Sequence, residues 1–235
     1  MKKTLMKKTL LIAIVFFSVG TLANADTFTV YATSAAQNAN DFIQWSQLGP
    51  AVSQFGTPQF VFTGDGNLAV VGNIDFSPFV RVDQGNGWNG NFANGENLVW
   101  TGNANGLGGE GPFALVLQTP VLSFGFGIET AQTGPFMATV QAYDRNGDPL
   151  FNDTFNGLSG GAIGTGSELF IGMGDTTGAN IGSILISTSS PNGAVNNFAI
   201  NDPGFTYATP EPGSMALLGS ALLGAVGMLR RKLLN

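Results

Sequence analysis

The chain has 235 residues, no cysteine, no histidine and a net charge of −6. That composition excludes disulfide stapling, Ser-His-Asp and Cys-His catalysis, and His-ligated zinc. Glycine, at 34 residues, is about twice its usual share, yet Phe, Val, Ile and Leu are plentiful enough for a packed core.

Lys2, Lys3, Lys7 and Lys8 form a basic start, Thr9 to Val19 an apolar stretch, and Ala23-Asn24-Ala25 a small-residue cleavage site. Residues 1–25 therefore read as a secretory signal peptide, cut by signal peptidase after Ala25.

Residues 26–208 are expected to form one extracellular domain. They hold fourteen of the fifteen acids but only two of the nine bases, Arg81 and Arg145, a net −12. Such a surface repels nucleic acid phosphates and anionic membrane, so no nucleic-acid partner is expected. Short β-branched or aromatic runs bounded by Gly, Pro, Asn or Asp predict strands at Thr27–Thr33, Gln59–Thr63, Leu68–Ile74, Phe79–Val82, Asn97–Thr101 and Phe113–Gln118. Further strands are predicted at Val121–Glu129, Phe136–Tyr143, Pro149–Phe155, Ser167–Met173, Ile181–Ser187 and Asn197–Ile200. Roughly twelve strands at close spacing give an all-β fold, a single β-sandwich of jelly-roll type. Ala32–Asn40 reads as a loop, and Asp41–Leu48 as a short helical turn or a strand. Gly64–Asn67 and Asp144–Asp148 are hairpin connections, the second with an Asn146-Gly147 pair suited to a type I′ turn. Gly102–Gly111 and Gly157–Gly166 are expected to be surface loops.

Three patterns could carry chemistry. Trp88 and Asn89 lie among amides and glycines, as in a face where an indole stacks on a sugar ring and amides bind its hydroxyls; Trp45 and Trp100 are expected to fill the core. Asp144, Asn146 and Asp148 place oxygens on alternate residues, as a calcium loop does, with Asp202 a further candidate ligand. The glycine after Asn146 and the missing bidentate Glu break the EF-hand pattern, and an exposed hairpin turn accounts for the same residues. Glu96, Glu110, Glu129 and Glu168 are the glutamates available for an acid–base pair, but their spacing singles out no two of them. No catalytic residue and no cofactor are expected.

The chain closes with Pro210-Glu211-Pro212, an uncharged apolar run from Ser214 to Leu229, and Arg230-Arg231-Lys232. As a helix the run would span roughly 24 Å, close to a bilayer's hydrocarbon thickness, with the basic end as a membrane stop in the cytoplasm. Ala216, Ser220 and Gly224 make a face of small residues. The two prolines keep the preceding chain out of a helix and open to a processing enzyme. In this order, residues 209–235 resemble the PEP-CTERM sorting tail, and the Val121–Ile200 stretch is loosely similar to the β-rich cargo of such tails. The resemblance implies recognition by exosortase, a membrane transpeptidase-like enzyme of Gram-negative bacteria that make exopolysaccharide. It further implies export, transient residence in the inner membrane, cleavage near Pro210–Pro212, and delivery to the cell surface or extracellular matrix. The expected function is that of a non-enzymatic surface or biofilm-matrix protein near exopolysaccharide, with a carbohydrate-binding sandwich as the alternative and a secreted hydrolase as the third reading.

Overall fold

The computed structural model describes residues 27–73, 76–102, 111–161 and 163–208. In chain order the strands are β1 (Phe28–Tyr31), β2 (Asp41–Phe42), β3 (Ser53–Phe55), β4 (Gln59–Phe62), β5 (Leu68–Asn73), β6 (Phe79–Gln84), β7 (Gly87–Trp88) and β8 (Asn97–Trp100). They continue as β9 (Phe113–Val121), β10 (Ser123–Thr130), β11 (Gly134–Tyr143), β12 (Pro149–Ser159), β13 (Leu169–Asp175), β14 (Ile181–Ser189), β15 (Phe198–Asn201) and β16 (Gly204–Thr206). One sheet of ten strands runs β1-β13-β10-β15-β8-β6-β3, with β16, β2 and β7 attached off that path. The other has six strands in the order β12-β11-β14-β9-β5-β4.

The two sheets bury one core between them, as a sandwich must when each has one apolar face. Phe124, Phe126, Ile128, Ile171 and Met173 enter it from the larger sheet; Val71, Leu115, Phe136, Val140 and Ile186 enter from the smaller. Along β11 the alternation is clean: Phe136, Ala138, Val140 and Ala142 are buried and the residues between them are half-buried. Trp45 is fully buried among them, edge-on to Phe113 at 6.1 Å.

All twelve expected strands are present, with shifted ends; Ile74, the last residue of one, lies outside the described residues. Four very short strands, β2, β3, β7 and β16, carried too little pattern to be seen. Asp41–Leu48 contains both expected alternatives, strand β2 and then a 3-10 turn at Trp45–Leu48. Ala32–Asn40, expected to be a loop, holds the one-turn helix α1 (Ser34–Gln37), whose Ala36 N–H donates to Thr33 Oγ1 at 3.2 Å. The first residues of Gly157–Gly166, Gly157 to Ser159, belong instead to β12, where Gly157 lets the Phe136 ring lie against the strand: a Cβ there would meet the ring at 2.2 Å. The Asn146-Gly147 turn also differs from expectation. Positive φ falls on Gly147 (87°) and not on Asn146, and the Gly147 N–H donates to the Asp144 carbonyl. The five-residue loop is thus a turn closed by a left-handed glycine, with a register shift in the adjoining ladder, a longer geometry than a two-residue type I′ hairpin.

The signal peptide, its Ala23 and Ala25, the sorting motif Pro210–Pro212, the basic stop Arg230–Lys232 and Glu110 all lie outside the described residues.

Candidate functional site

The outer face of the ten-stranded sheet is where the polar chemistry gathers. In β10 the sequence Phe124-Gly125-Phe126-Gly127-Ile128-Glu129 sends its apolar residues inward, leaving two glycines and a glutamate on the outside. In the neighbouring β13, Phe170, Gly172 and Gly174 face the same way, with Gly125 paired to Gly172 and Gly127 to Phe170. The glycines let side chains lie flat on the sheet. A Cβ on Gly125 would come within 2.3 Å of Gln37 Oε1 and 2.6 Å of the Phe170 ring; one on Gly127 would meet Glu168 Cγ at 2.7 Å.

Above this floor is a cleft of about 380 Å³, lined among others by Gln37, Phe42, Glu96, Glu168, Phe170 and Asp202. Helix α1 forms one wall, held by the Gln37 Nε2 donation to the Gly204 carbonyl at 2.9 Å. Burial pushes the Glu96 carboxyl above its ordinary range, against hydrogen bonds to Ala93 and Asn201 and with the Asp202 charge adding to the rise. Burial also raises Glu168, helped by the charges of Glu96 and Glu129. Burial raises Asp202 as well, offset in part by the Trp45 N–H, which donates to its Oδ1 at 2.7 Å. Among the described residues Glu168 Oε2 is buried without a hydrogen-bond partner. Glu96, Glu129 and Glu168, far apart in sequence, thus share one face; spacing could not have shown this, because β8, β10 and β13 are brought together only by sheet order.

A second cleft, of about 310 Å³, lies farther along the same face. It is lined by Trp88, Asn89, Trp100, Glu129, Thr130 and Thr133, among others. Trp88 is only 7% exposed, so it is not the open stacking platform expected of it. It anchors a small apolar cluster with Val80, Val82, Phe92, Leu98 and Ala199 on the outer side of the sheet. Trp100, expected in the core, is instead half-buried at the border of that cluster, its ring 6.1 Å from that of Trp88 at 62°. Its Nε1 donates to Asn197 Oδ1 at 3.2 Å.

Glu129 holds this second site together. Its carboxylate is buried and accepts from Trp88 Nε1 at 3.2 Å, the Asn91 N–H at 2.7 Å and the Gly160 N–H at 3.0 Å. Gly90 must be glycine, since a Cβ there would fall 1.9 Å from Glu129 Oε2. An aromatic pair, an amide and a held carboxylate beside a small cleft can bind a sugar's hydroxyls and one ring face.

The Asp144–Asp148 loop is on the other sheet. Asp144 Oδ1 accepts the Asn146 and Asp148 N–H groups, both at 2.8 Å, and Oδ2 accepts Asn146 Nδ2 at 3.0 Å. These bonds hold the Asp144 carboxyl below its ordinary range. The loop uses its own oxygens as an Asx turn does. Asp202, bonded to the Trp45 N–H and to Asn97 Nδ2, serves the larger sheet and is not brought to this loop. Among the described residues no group of three or more His, Cys, Asp or Glu side chains is arranged to hold a metal ion.

Residues 208–232 match the PEP-CTERM protein-sorting motif. The chain carries a PEP-CTERM tail. Such a tail implies export and processing at the membrane. No curated protein matches the chain. Among solved structures it is similar to a DUF4465 family protein from Bacteroides caccae, at 11% identity and a TM-score of 0.43, over 72% of this chain and 100% of that one.

Proposed function

We propose that this PEP-CTERM protein is a non-enzymatic surface or extracellular-matrix protein, released by exosortase and resident in or near exopolysaccharide. The sorting motif at 208–232 carries this reading. The cysteine-free, acid-rich domain adds support, since it suits an environment outside the cell. The mass of the mature protein tests the sorting. A product ending near Pro212 is the expected result; a mature form that ends at Asn235 would leave a simple anchor.

A carbohydrate-binding role is the second reading, favoured by the cleft that Trp88, Asn89, Trp100 and Glu129 line. Trp100 is the ring to test, because Trp88 is committed to the apolar cluster. Pull-down on the producer's own polysaccharide should succeed with the wild type and fail with Trp100→Ala. Equal binding by the two, or none by either, would remove the reading.

A further inference from the structure

The outer face of the six-stranded sheet is divided. On its β12 and β11 side it is mixed, with Thr139 and Thr154 hydrogen-bonded across the strands at 3.1 Å and Leu158 exposed farther along β12. On its β4 side it is apolar. Phe60 and Phe62 are 63% and 55% exposed, Leu68 and Val70 on β5 are half-buried, and Val116 on β9 is 50% exposed. The register makes these one strip: Phe60 pairs with Val70, Phe62 with Leu68, and Val70 with Val116. A cleft of about 490 Å³ continues the strip to Arg145. Arg145 is exposed, while Arg81, the other base of residues 26–208, is buried. A contiguous exposed apolar strip of this kind marks a contact surface.

The end of the described chain lies beside it. The Tyr207 hydroxyl lies by the Thr63 side chain, one residue on from Phe62, and burial pushes that hydroxyl up to about 12. The Tyr207 N–H donates to Asn40 Oδ1 at 3.0 Å. The β4–β5 hairpin is tied to the same corner, where Asp41 Oδ1 accepts the Asp65 N–H at 3.1 Å. From Ala208 the chain has six residue steps to Ser214, where the apolar run begins. Six extended steps reach at most about 20 Å.

We infer that, while the tail is in the membrane, the Phe60–Val70–Val116 strip rests on the lipid bilayer surface, with Phe60 and Phe62 at the interface. The inference rests on the reading of the tail as a membrane segment. The tether raises the local concentration of membrane to the millimolar range, so a small strip suffices even on an acidic domain. The contact would set the height and tilt at which Pro210–Pro212 is presented.

The test uses residues 26–235, the chain after signal-peptide removal, in vesicles of phosphatidylethanolamine and phosphatidylglycerol, three to one. The chain has no cysteine, so Phe60→Cys and Thr154→Cys each place a single polarity-sensitive dye on the same face at its two ends. Flotation with the vesicles establishes membrane residence. Nitroxide-bearing lipid should then quench the dye at position 60 roughly threefold more than at 154. With the dye moved to Asp65→Cys, quenching should fall when Phe60→Ser and Phe62→Ser are added. A chain that does not float overturns both the tail reading and the inference. A floating chain with equal quenching at 60 and 154 overturns the inference alone. So does a dye at 60 that is already shielded without lipid, which would assign the strip to residues 214–229 if independent of concentration and to a second copy otherwise.

Discussion

Trp88 Nε1 donates to Glu129 Oε2 across 3.2 Å, joining the short strand β7 to the centre of the ten-stranded sheet. Glu129 is 2% exposed and also accepts two backbone N–H groups from separate loops. Glu129→Ala strands three buried donors and should lower unfolding free energy by roughly 3 kcal/mol or more. Glu129→Gln keeps an acceptor and should cost about half as much. Urea denaturation with an unchanged slope checks both.

The glycine floor makes a second expectation. Gly125→Ala would drive a methyl into Gln37 and Phe170, and Gly127→Ala would drive one into Glu168 and Asn201. Overpacking of this kind should destabilise by about 1–3 kcal/mol and displace α1 in the first case. Gly56→Ala, with open space around its Cβ, should stay within about 0.5 kcal/mol of wild type. Equal losses at all three sites in thermal unfolding would show that the floor is not tightly covered.

The three half-buried carboxyls on this face set a pH dependence. Glu96, Glu168 and Asp202 are raised above their ordinary values, chiefly by burial. The folded state therefore holds their protons to higher pH than the unfolded state does. Stability falls as pH rises from the ordinary carboxylate range near 4 through the raised folded values, and is regained on acidification through the same window. Asp144 works in the opposite sense: its lowered value contributes stability above its ordinary range that is lost as pH falls below it. The urea midpoint should rise as pH is lowered through the raised values towards the ordinary carboxylate range near 4, and Glu96→Gln with Glu168→Gln should flatten that rise.

At the Asp144 loop the carboxylate is already engaged by three donors. Asp144→Ala should lower the melting temperature slightly through the lost turn bonds. Millimolar calcium should leave the melting temperature of the wild type unchanged within about 1 °C, since a ligand that does not bind the native state adds no stability. A reproducible calcium-dependent rise, removed by Asp144→Ala, would assign the metal to this loop.

The sequence by itself determined the parts governed by local chemistry. Twelve strands, two hairpins and the all-β class follow from alternation, β-branched content and turn residues, which act over a few neighbours. The sorting tail is equally local: Pro210-Glu211-Pro212, the apolar run and the basic end stand consecutively. Only the tertiary structure decided which face each strand presents to what. Residues of β6 are buried on both faces because Trp88 and Phe92 cover its outer side, and no period along Phe79–Gln84 shows that cover. Trp88 lies among exposed-looking glycines and amides, yet it is buried because Glu129, 41 residues away, accepts its indole N–H. The convergence of Glu96 with Glu168, and of Tyr207 with the β4–β5 hairpin, likewise comes from sheet order. Pairing between strands distant in sequence is set by the shared burial of two whole sheets, a property of the assembled core that no single segment encodes.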